Sequence, residues 1–466
     1  MRAFYCRDDE LRKLNKRYEG GRFECIVIYG RRRVGKTALI NEFCKDKPTI
    51  FFSALNTTGK ENLEALSKAI MSFERPETET VPEFSSYDAA LEELTALSRE
   101  KRIVFVIDEY PYLAKAKPAI SAMLQHIIDH RWAESEMYLI LCGSSMSFME
   151  KQVLGYQSPL YGRRTAQFKI LPFDYVDTGK WFPEYSYSDR ALVYGITGGI
   201  PMYLEQFSPE LTIRENLLEN LFDRNAVLFE EPSNLLKQEL REPAVYNAVI
   251  TAVASGKTKL SEIATTVGVE TGLCAKYMTN LIALGIIKRE TPVTEPNSKR
   301  PVYLIEDQFF RFWYTFVPGN ISAIQSGRME RSYSSMVESR LSDYMGLTFE
   351  KICRDYILYY DEEIPFPIGA VGQWWGGNPK TRKQAQIDVV VTSAEGDSAI
   401  IGSCKFRETP TGEEELHLME EYADAMGHFA NRYYYFFSKS GFSAGLESRA
   451  ENGEVRLLTL AELYEI

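Results

Sequence analysis

The feature that most constrains this chain is a glycine-bounded loop that follows an apolar run near the N-terminus. Residues 25–29 read Cys-Ile-Val-Ile-Tyr, and the residues from Gly30 to Thr37 then read Gly-Arg-Arg-Arg-Val-Gly-Lys-Thr. A buried strand that leads through such a loop into a helix points several backbone N–H groups at one spot, where phosphate oxygens can bind. We therefore predict an α/β fold whose first strand and following helix flank a phosphate-binding loop.

The residues of this loop have distinct expected roles toward ATP and Mg²⁺. Lys36 is expected to bridge the β- and γ-phosphates, and the hydroxyl of Thr37 is expected to hold the metal. The residues assigned to nucleotide binding in this segment are Gly30, Arg31, Arg32, Arg33, Val34, Gly35, Lys36, Thr37 and Ala38. The alternative, a glycine-rich turn that matches by chance, is weakened by a second element farther along the chain.

That second element is an apolar run, residues 103–107, that ends in the paired acids Asp108 and Glu109. Its composition is that of a buried parallel strand, and α/β sheets bind ligands at the carboxyl ends of such strands. Asp108 is expected to hold the Mg²⁺ shell through water, and Glu109 to orient and polarise the attacking water. Together with the loop, this pair predicts a chain that binds ATP and hydrolyses it.

Composition places the chain among ordinary globular proteins. Its 466 residues suffice for roughly two to four domains, and no apolar stretch approaches the length needed to cross a bilayer. The N-terminus lacks the apolar core of a signal peptide, so a cytoplasmic protein without membrane contact is expected. The seven cysteines have no paired spacing, which predicts reduced thiols. A net charge of −11 argues against non-specific coating of nucleic acid.

Residues 1–205 alternate apolar strands with helical segments, the pattern of a parallel sheet that is covered on both faces. Strands are predicted at residues 25–29, 49–53, 103–107, 137–142 and 167–171. An amphipathic helix is predicted ahead of the phosphate-binding loop, beginning near Arg7. This first domain is thus expected to be a P-loop ATPase domain.

Three further features of this domain each allow two interpretations. Ser144, after the fourth strand, suits either a sensor of the γ-phosphate or the cap of a short helix. Arg163 and Arg164 suit either a surface ion pair or a cation on the developing phosphate charge, supplied within the chain or by a neighbouring subunit of a homo-oligomer. Pro201, in a Gly-Gly-Ile-Pro turn, suits either a contact with adenine or the start of a helix.

Residues 206–320 lose the strand alternation, and about 243–306 have the pattern of a winged helix-turn-helix. Its helices are predicted at residues 260–269 and 271–284, and its strands at 285–290 and 300–305. Between residues 257 and 303, seven Lys or Arg stand against four acids. The second helix offers Lys276, Tyr277 and Asn280 to DNA but no arginine, which guanine contacts favour. DNA binding and a packing role are both open.

The C-terminal third begins after an aromatic segment. Residues 309–317 are densely aromatic, which is more typical of a buried linker helix than of a base-stacking platform. Residues 335–466 return to an α/β pattern. There Glu350, Asp388 and Lys405 have the outline of a metal-dependent nuclease, in which carboxylates hold Mg²⁺ against a phosphodiester and a lysine steadies the attacking water.

With these residues identified, the chain resembles the archaeal-type ATPases, a branch of the P-loop NTPases close to the AAA and STAND groups. The resemblance is carried by Gly30–Thr37, Asp108-Glu109, Gly143-Ser144-Ser145, the turn at residues 161–164 and the turn at residues 199–201. It implies a P-loop ATPase domain joined to a winged helix and to a C-terminal domain similar to restriction-endonuclease-like folds. It further implies a nucleotide-dependent switch or remodelling protein, with DNA or an unidentified protein as partner.

The C-terminal domain departs from the pattern of an active nuclease. The position two residues before Lys405, which is acidic in that pattern, is Ser403, and Gln386 stands where a further acid often precedes the strand Asp. Glu350 and Asp388 alone would hold Mg²⁺ weakly, so the domain is expected to keep the fold for binding without cleavage. An ATP-hydrolysing switch, an ATP-dependent DNA nuclease and a binding module that nucleotide merely stabilises therefore remain alternatives.

Overall fold

The computed structural model describes residues 4–74, 82–299 and 301–466, so residues 1–3 and Arg300, which entered the predictions above, lie outside the described residues. The chain folds into two compact units. The first extends to Phe173 and includes Ile200–Met202, and the second comprises Asp174–Gly199 and Tyr203–Ile466. This division differs from the predicted boundary at residue 205, because helices within 174–199 pack against helices farther along the chain.

The first unit contains a five-stranded parallel sheet. Its strands are β1 Glu24–Tyr29, β2 Thr49–Ser53, β3 Val104–Asp108, β4 Tyr138–Gly143 and β5 Ala166–Lys169. The order is β2-β3-β4-β1-β5, and every neighbouring pair is parallel. All residues of β1, β3 and β4 are buried, which explains their continuous apolar runs. The five predicted strands are confirmed, and the carboxyl ends of β1, β4 and β3 are neighbours.

Helices cover both faces of this sheet. They are α1 Asp8–Glu19, α2 Lys36–Cys44, α3 Gly59–Glu74, α4 Tyr87–Glu100, α5 Tyr110–Ala116, α6 Ile120–Ile127 and α7 Met146–Phe148, with π-helical turns at Ile128–Trp132 and Met149–Val153. Side chains of α1 and α2 form one apolar cluster with alternate residues of β1, β3 and β4. Side chains of α3 to α6 form a second cluster with the intervening residues. The alternation of strand side chains thus produces two separate cores.

The second unit begins with helices and a small antiparallel sheet. Its first helices are α8 Tyr175–Lys180, α9 Tyr187–Thr197, α10 Pro201–Leu204, α11 Ile213–Asn220 and α12 Glu231–Glu239, and the first two residues of α10 belong to the first unit. Next come α13 Pro243–Ala254, α14 Leu260–Val267, α15 Thr271–Ala283, β6 Ile287–Glu290 and β7 Val302–Ile305. The elements that follow are α16 Gln308–Phe316, a 3₁₀ turn at Pro318–Asn320, α17 Ile321–Gln325, α18 Met329–Tyr333, a π-helical turn at Ser334–Glu338 and the long helix α19 Ser339–Tyr359. We call α13 to β7 the 243–306 module. The aromatic segment forms α16, whose side chains at Phe309, Phe310 and Phe312 are fully buried, as predicted.

The C-terminal part of this unit is a mixed sheet with helices. It consists of β8 Ile368–Gly377, β9 Gln384–Ser393, β10 Ser398–Lys405, α20 Glu414–Met426, β11 Asn431–Ser438, α21 Ala444–Glu451 and β12 Val455–Thr459. The strand order is β12-β11-β10-β9-β8; β8, β9 and β10 run antiparallel, and β10, β11 and β12 run parallel. Helices α19 and α20 both pack on this sheet. The result agrees with the predicted mixed α/β class.

All seven cysteines are free thiols, as the sequence predicts. Among the described residues, none of the helices has the combination of length and apolar character that crossing a membrane requires.

Candidate functional site

The loop between β1 and α2 has the backbone conformation that its glycines predict. Gly35 has a φ of 88°, in the left-handed region that favours glycine. A Cβ at Gly30 would collide with the carbonyl oxygen of Ile170, so this position requires glycine as well. Arg33 also has a positive φ, of 73°, which a non-glycine residue adopts only when its surroundings impose it. The loop therefore enters α2 in a fixed conformation, beside the unpaired N–H groups of the first helical turn.

Lys36 is held inside this loop. It is the first residue of α2, and only 7% of its surface is exposed. Its Nζ donates hydrogen bonds to the carbonyl oxygens of Gly30 at 3.0 Å and Arg31 at 2.9 Å. Burial lowers the pKa of Lys36, and the carboxylates of Glu109 and Asp108 oppose that shift. The ammonium is thus fixed beside the backbone groups that would surround a phosphate.

Thr37 and Asp108, the two predicted Mg²⁺ ligands of this unit, are in direct contact. Thr37 Oγ1 donates to Asp108 Oδ2 at 3.0 Å, and the other carboxylate oxygen accepts the N–H of Glu109 at 3.0 Å. No three His, Cys, Asp or Glu side chains among the described residues are grouped to hold a metal. One hydroxyl and one carboxylate suit an Mg²⁺ ion whose remaining ligands are phosphate oxygens and water.

Glu109 lies at the N-terminus of α5 in a left-handed conformation, with φ 50° and ψ 44°. Ser144 Oγ lies 2.7 Å from one of its carboxylate oxygens and 2.9 Å from the other. Arg32 approaches the same carboxylate at 3.9 Å and donates to the hydroxyl of Tyr112 at 2.8 Å. The capping interpretation of Ser144 is not observed, because Ser145 holds the N-cap position of α7.

Arg163 and Arg164 form hydrogen bonds with residues outside the phosphate-binding loop and the acidic pair. Arg163 Nε and Nη2 donate to the two carboxylate oxygens of Asp129 at 3.1 and 2.9 Å. Arg164 Nη1 donates to the carbonyl oxygen of Leu154 at 2.9 Å. Within the described residues neither arginine touches Lys36 or the acidic pair. This geometry matches the ion-pair interpretation of Arg163.

Two residues from other parts of the chain, Pro201 and Arg7, also lie beside the phosphate-binding loop. Pro201, the first residue of α10, has its Cγ 3.6 Å from the point where a Cβ on Gly35 would be. Arg7, which the sequence reasoning missed, donates to the carbonyl oxygens of Val34 at 3.3 Å and Leu171 at 2.5 Å. Its position just ahead of the amphipathic helix α1 was the available signal. Ala38, also predicted to bind nucleotide, lies in the first turn of α2.

The second unit also assembles a group of charged residues. Glu350 on α19 accepts a hydrogen bond from Gln373 Nε2 at 2.6 Å and lies 3.7 Å from Arg354 Nη1. Asp388 on β9 accepts the N–H of Cys404 at 3.0 Å. Burial, followed by the nearby Asp388 carboxylate, raises the pKa of Glu350 to about 8. The structure thus brings together two of the predicted nuclease residues in a poorly solvated setting.

Lys405, the third predicted nuclease residue, is paired with a carboxylate that the sequence reasoning missed. Its Nζ lies 2.8 Å from Glu415 Oε1, and Ser403 Oγ donates to the same oxygen at 2.7 Å. Burial acts to lower the pKa of Lys405, but Asp388 and Glu415 outweigh it and raise that pKa. Glu415 lies on α20, beyond the strands that carry the nuclease pattern, so no spacing rule pointed to it.

The 243–306 module uses two of its three predicted DNA-reading side chains internally. Tyr277 is buried, and its hydroxyl donates to Glu242 at 3.2 Å. Asn280 Nδ2 donates to the hydroxyl of Tyr246 at 2.6 Å. Tyr277 is thus not available to DNA, whereas both hydrogen bonds join α15 to α13 or to the residue before it, which matches the packing interpretation. Lys276 and Asn280 both lie on the exposed face of α15.

Two protein families match separate parts of the chain. Residues 4–207 match an ATPase domain found predominantly in Archaea, and residues 313–417 match archaeal and bacterial proteins of unknown function. An uncharacterised protein of Methanocaldococcus jannaschii is 29% identical over 408 residues, which cover 87% of this chain and 88% of that protein. An uncharacterised ATP-binding protein of the same organism is 43% identical over 44 residues, 9% of this chain and 75% of that one.

Among solved structures, the chain is similar to a Walker-type ATPase of Pyrococcus abyssi. The superposition has a TM-score of 0.51 at 19% identity and covers 67% of this chain and 96% of that protein. At this level of identity the similarity concerns the fold. It agrees with the five-stranded parallel sheet and the phosphate-binding loop described above.

Proposed function

We propose that this chain, whose residues 4–207 match an ATPase domain found predominantly in Archaea, binds ATP with Mg²⁺ and hydrolyses it. The observation that carries this proposal is the joined set of side chains at three adjacent strand ends. Thr37 contacts Asp108, and Ser144 contacts Glu109, with Lys36 held in the loop beside them. The second contact holds the carboxylate of Glu109 in one orientation, which suits a group that positions an attacking water.

Each residue has one task in this proposal. The loop backbone and Lys36 bind the β- and γ-phosphates, and Thr37 with Asp108 offers two oxygen ligands to the metal. Bound Mg²⁺ would neutralise charge on the phosphate oxygens. Glu109 orients a water molecule for attack on the γ-phosphorus, and Ser144 fixes the carboxylate and senses the γ-phosphate.

The test is phosphate release by the full chain in Mg²⁺ and ATP. Lys36→Ala should abolish release and weaken ATP binding, whereas Glu109→Gln should bind ATP and release no phosphate. Lys45→Ala, at the other end of α2, is the matched control and should keep full activity. Equal rates in wild type and Lys36→Ala would contradict hydrolysis at this site. Tight binding with no turnover would favour the stabilised binding module instead.

We further propose that the nucleotide state acts as a switch on the second unit. Pro201 lies beside Gly35 of the loop, and the residues on both sides of the segment Ile200–Met202 belong to the second unit. A change in the loop would therefore reach the second unit through a covalent connection of a few residues. The Glu109→Gln protein, locked with ATP, should retain the physiological partner on purification from cells, whether that partner is a protein or DNA.

We propose that the C-terminal sheet domain does not cleave DNA. Lys405 is neutralised by Glu415, and Glu350 is hydrogen-bonded to Gln373 rather than open to a cation. Plasmid incubated with the full chain, ATP and Mg²⁺ or Mn²⁺ should stay supercoiled. Nicking by the wild type that is lost in Asp388→Ala would contradict this and establish the nuclease alternative.

A further inference from the structure

A cavity of about 530 Å³ in the first unit is lined by an excess of positive charge. Four cations face it, Lys13, Lys16, Arg17 and Arg22, against the single carboxylate of Glu24. This volume is that of a small-molecule site. The excess of cations contrasts with the net charge of −11 on the whole chain.

A buried carboxylate orients two of the cations that line this cavity. Glu24 is fully buried and accepts hydrogen bonds from Arg17 at 3.0 Å and Arg22 at 3.3 Å. Because one carboxylate is shared by two guanidinium groups, both arginines are oriented while a positive charge remains uncompensated. Lys16 adds a further charge, since it has no ion pair within the described part of the chain.

The cavity is separate from the nucleotide site. Glu24 is the first residue of β1, whereas the phosphate-binding loop follows the last residue of that strand. Six residues of extended chain place the two ends roughly 20 Å apart. Stabilisation of the C-terminus of α1 accounts for Lys16 and Arg17, which lie in its last turn, but not for Arg22, which follows the helix.

We propose that this cavity binds a small anion that bears more than one phosphate group. Guanidinium groups match phosphate oxygens with two parallel hydrogen bonds, and ammonium groups add charge without fixed geometry. The ligand compensates the charge of Lys16 and the positive charge that Glu24 leaves on the two arginines, whereas Lys13 is already paired with Asp9. The same chemistry is offered by the backbone of a nucleic acid, so the experiment distinguishes the two sources.

The test uses the full chain in the Lys36→Ala background with a chelator, so that the loop and Mg²⁺ do not contribute. Inorganic pyrophosphate and a short DNA duplex are titrated separately by calorimetry. The site variant carries Lys13→Gln and Lys16→Glu, which leave Arg17, Arg22 and Glu24 intact. The control carries Lys60→Gln and Lys68→Glu on α3, which change the net charge by the same amount. In both variants the lysine replaced by glutamine is ion-paired: Lys13 with Asp9 in the site, and Lys60 with Glu64 in the control.

Saturable pyrophosphate binding should be weakened about tenfold in the site variant and unchanged in the control. Duplex binding with the same pattern and no pyrophosphate binding would overturn the small-anion proposal and assign the cationic surface to nucleic acid. Absence of binding by both probes, or an equal loss in the control variant, would overturn the proposal. Circular dichroism of both variants verifies that they are folded.

Discussion

At the scale of single side chains, the proposed hydrolysis depends on the pairing of Ser144 with Glu109. Both oxygens of the carboxylate lie within hydrogen-bonding distance of one hydroxyl, and the glutamate backbone is in a left-handed conformation. A non-glycine residue in that conformation is unfavourable by about 1–3 kcal/mol unless its surroundings support it. The fold therefore holds the carboxylate of Glu109 in one place at a cost in folding stability.

We predict that Ser144→Ala lowers kcat roughly 10- to 100-fold, since one hydrogen bond to a charged group is lost. The affinity for ATP should change much less than kcat, because the Ser144 hydroxyl is bonded to Glu109 rather than to the loop. Steady-state phosphate release and equilibrium binding measure the two quantities. Ser145→Ala is the matched control, since its side chain caps nothing. A larger effect of Ser145→Ala than of Ser144→Ala would reject this role.

Glu350 in the second unit gives a prediction about pH. Its folded pKa is raised to about 8 by burial and then by Asp388, so the folded state binds a proton that the unfolded state releases near the usual carboxyl pKa. Between these two pKa values the unfolded chain binds fewer protons than the folded chain. The contribution of Glu350 to the free energy of unfolding therefore falls as pH rises. The loss is complete above about pH 8.

We therefore predict that Glu350→Gln flattens this dependence by a few kcal/mol between pH 5 and pH 8. Glutamine keeps an oxygen that can accept the hydrogen bond from Gln373. Denaturant unfolding at a series of pH values measures the effect, with the exposed Glu420 replaced by Gln as the control. Identical pH profiles for wild type and Glu350→Gln would contradict a protonated Glu350.

At the scale of elements, one face of α15 packs on α13. Tyr277 and Asn280 both bond to α13 or the residue before it, and the hairpin connection packs against β8, where the N–H of Val293 donates to the carbonyl oxygen of Gln373 at 2.8 Å. The hairpin side of the 243–306 module is thus covered by β8, whereas the bonds of Tyr277 and Asn280 hold α15 against the start of the module's own first helix. Its mild positive charge is a weak basis for DNA binding.

We predict that Asn280→Ala lowers the free energy of unfolding by about 0.5–1 kcal/mol, because a partly buried hydrogen bond to Tyr246 is lost. Lys276→Ala, one turn earlier on the exposed face, should change stability by less than about 0.5 kcal/mol. Denaturant unfolding measures both variants, and duplex titration checks DNA binding. A DNA affinity that depends on Lys276 and Asn280 together, with no change in stability, would contradict the packing role.

The predictability of these elements follows from burial. Strands β1, β3 and β4 are buried throughout, so composition alone identified them. Strand β8 has no such signal in the sequence: it is an edge strand with four glycines, largely half-exposed, and it has neither a continuous apolar run nor a regular alternation. In the nucleotide site, the residues of the loop and the acidic pair were predictable because backbone chemistry fixes their spacing. Contacts across the fold, such as Glu415 with Lys405, have no sequence spacing to reveal them.

At the scale of the whole molecule, the path of the chain links the nucleotide loop to the second unit. The chain leaves the first unit after Phe173, returns to it for Ile200–Met202, and leaves it again. A rigid proline in that short segment lies beside Gly35, a residue whose conformation tolerates little change. A ligand that orders the loop should therefore restrict the segments on both sides of Pro201.

We predict that an ATP analogue with Mg²⁺ slows amide hydrogen exchange both in α2 and in residues 203–220 of the second unit. At a concentration 100 times its dissociation constant, the ligand stabilises the state that binds it by about 2.7 kcal/mol, enough for a clear change in exchange rates. Pro201→Ala should keep the protection of α2 but reduce that of residues 203–220, because alanine relaxes the connection. Pro209→Ala, outside the segment, is the control and should behave as wild type. Protection confined to the first unit in the wild type would show that nucleotide binding does not reach the second unit, whatever the rate of hydrolysis.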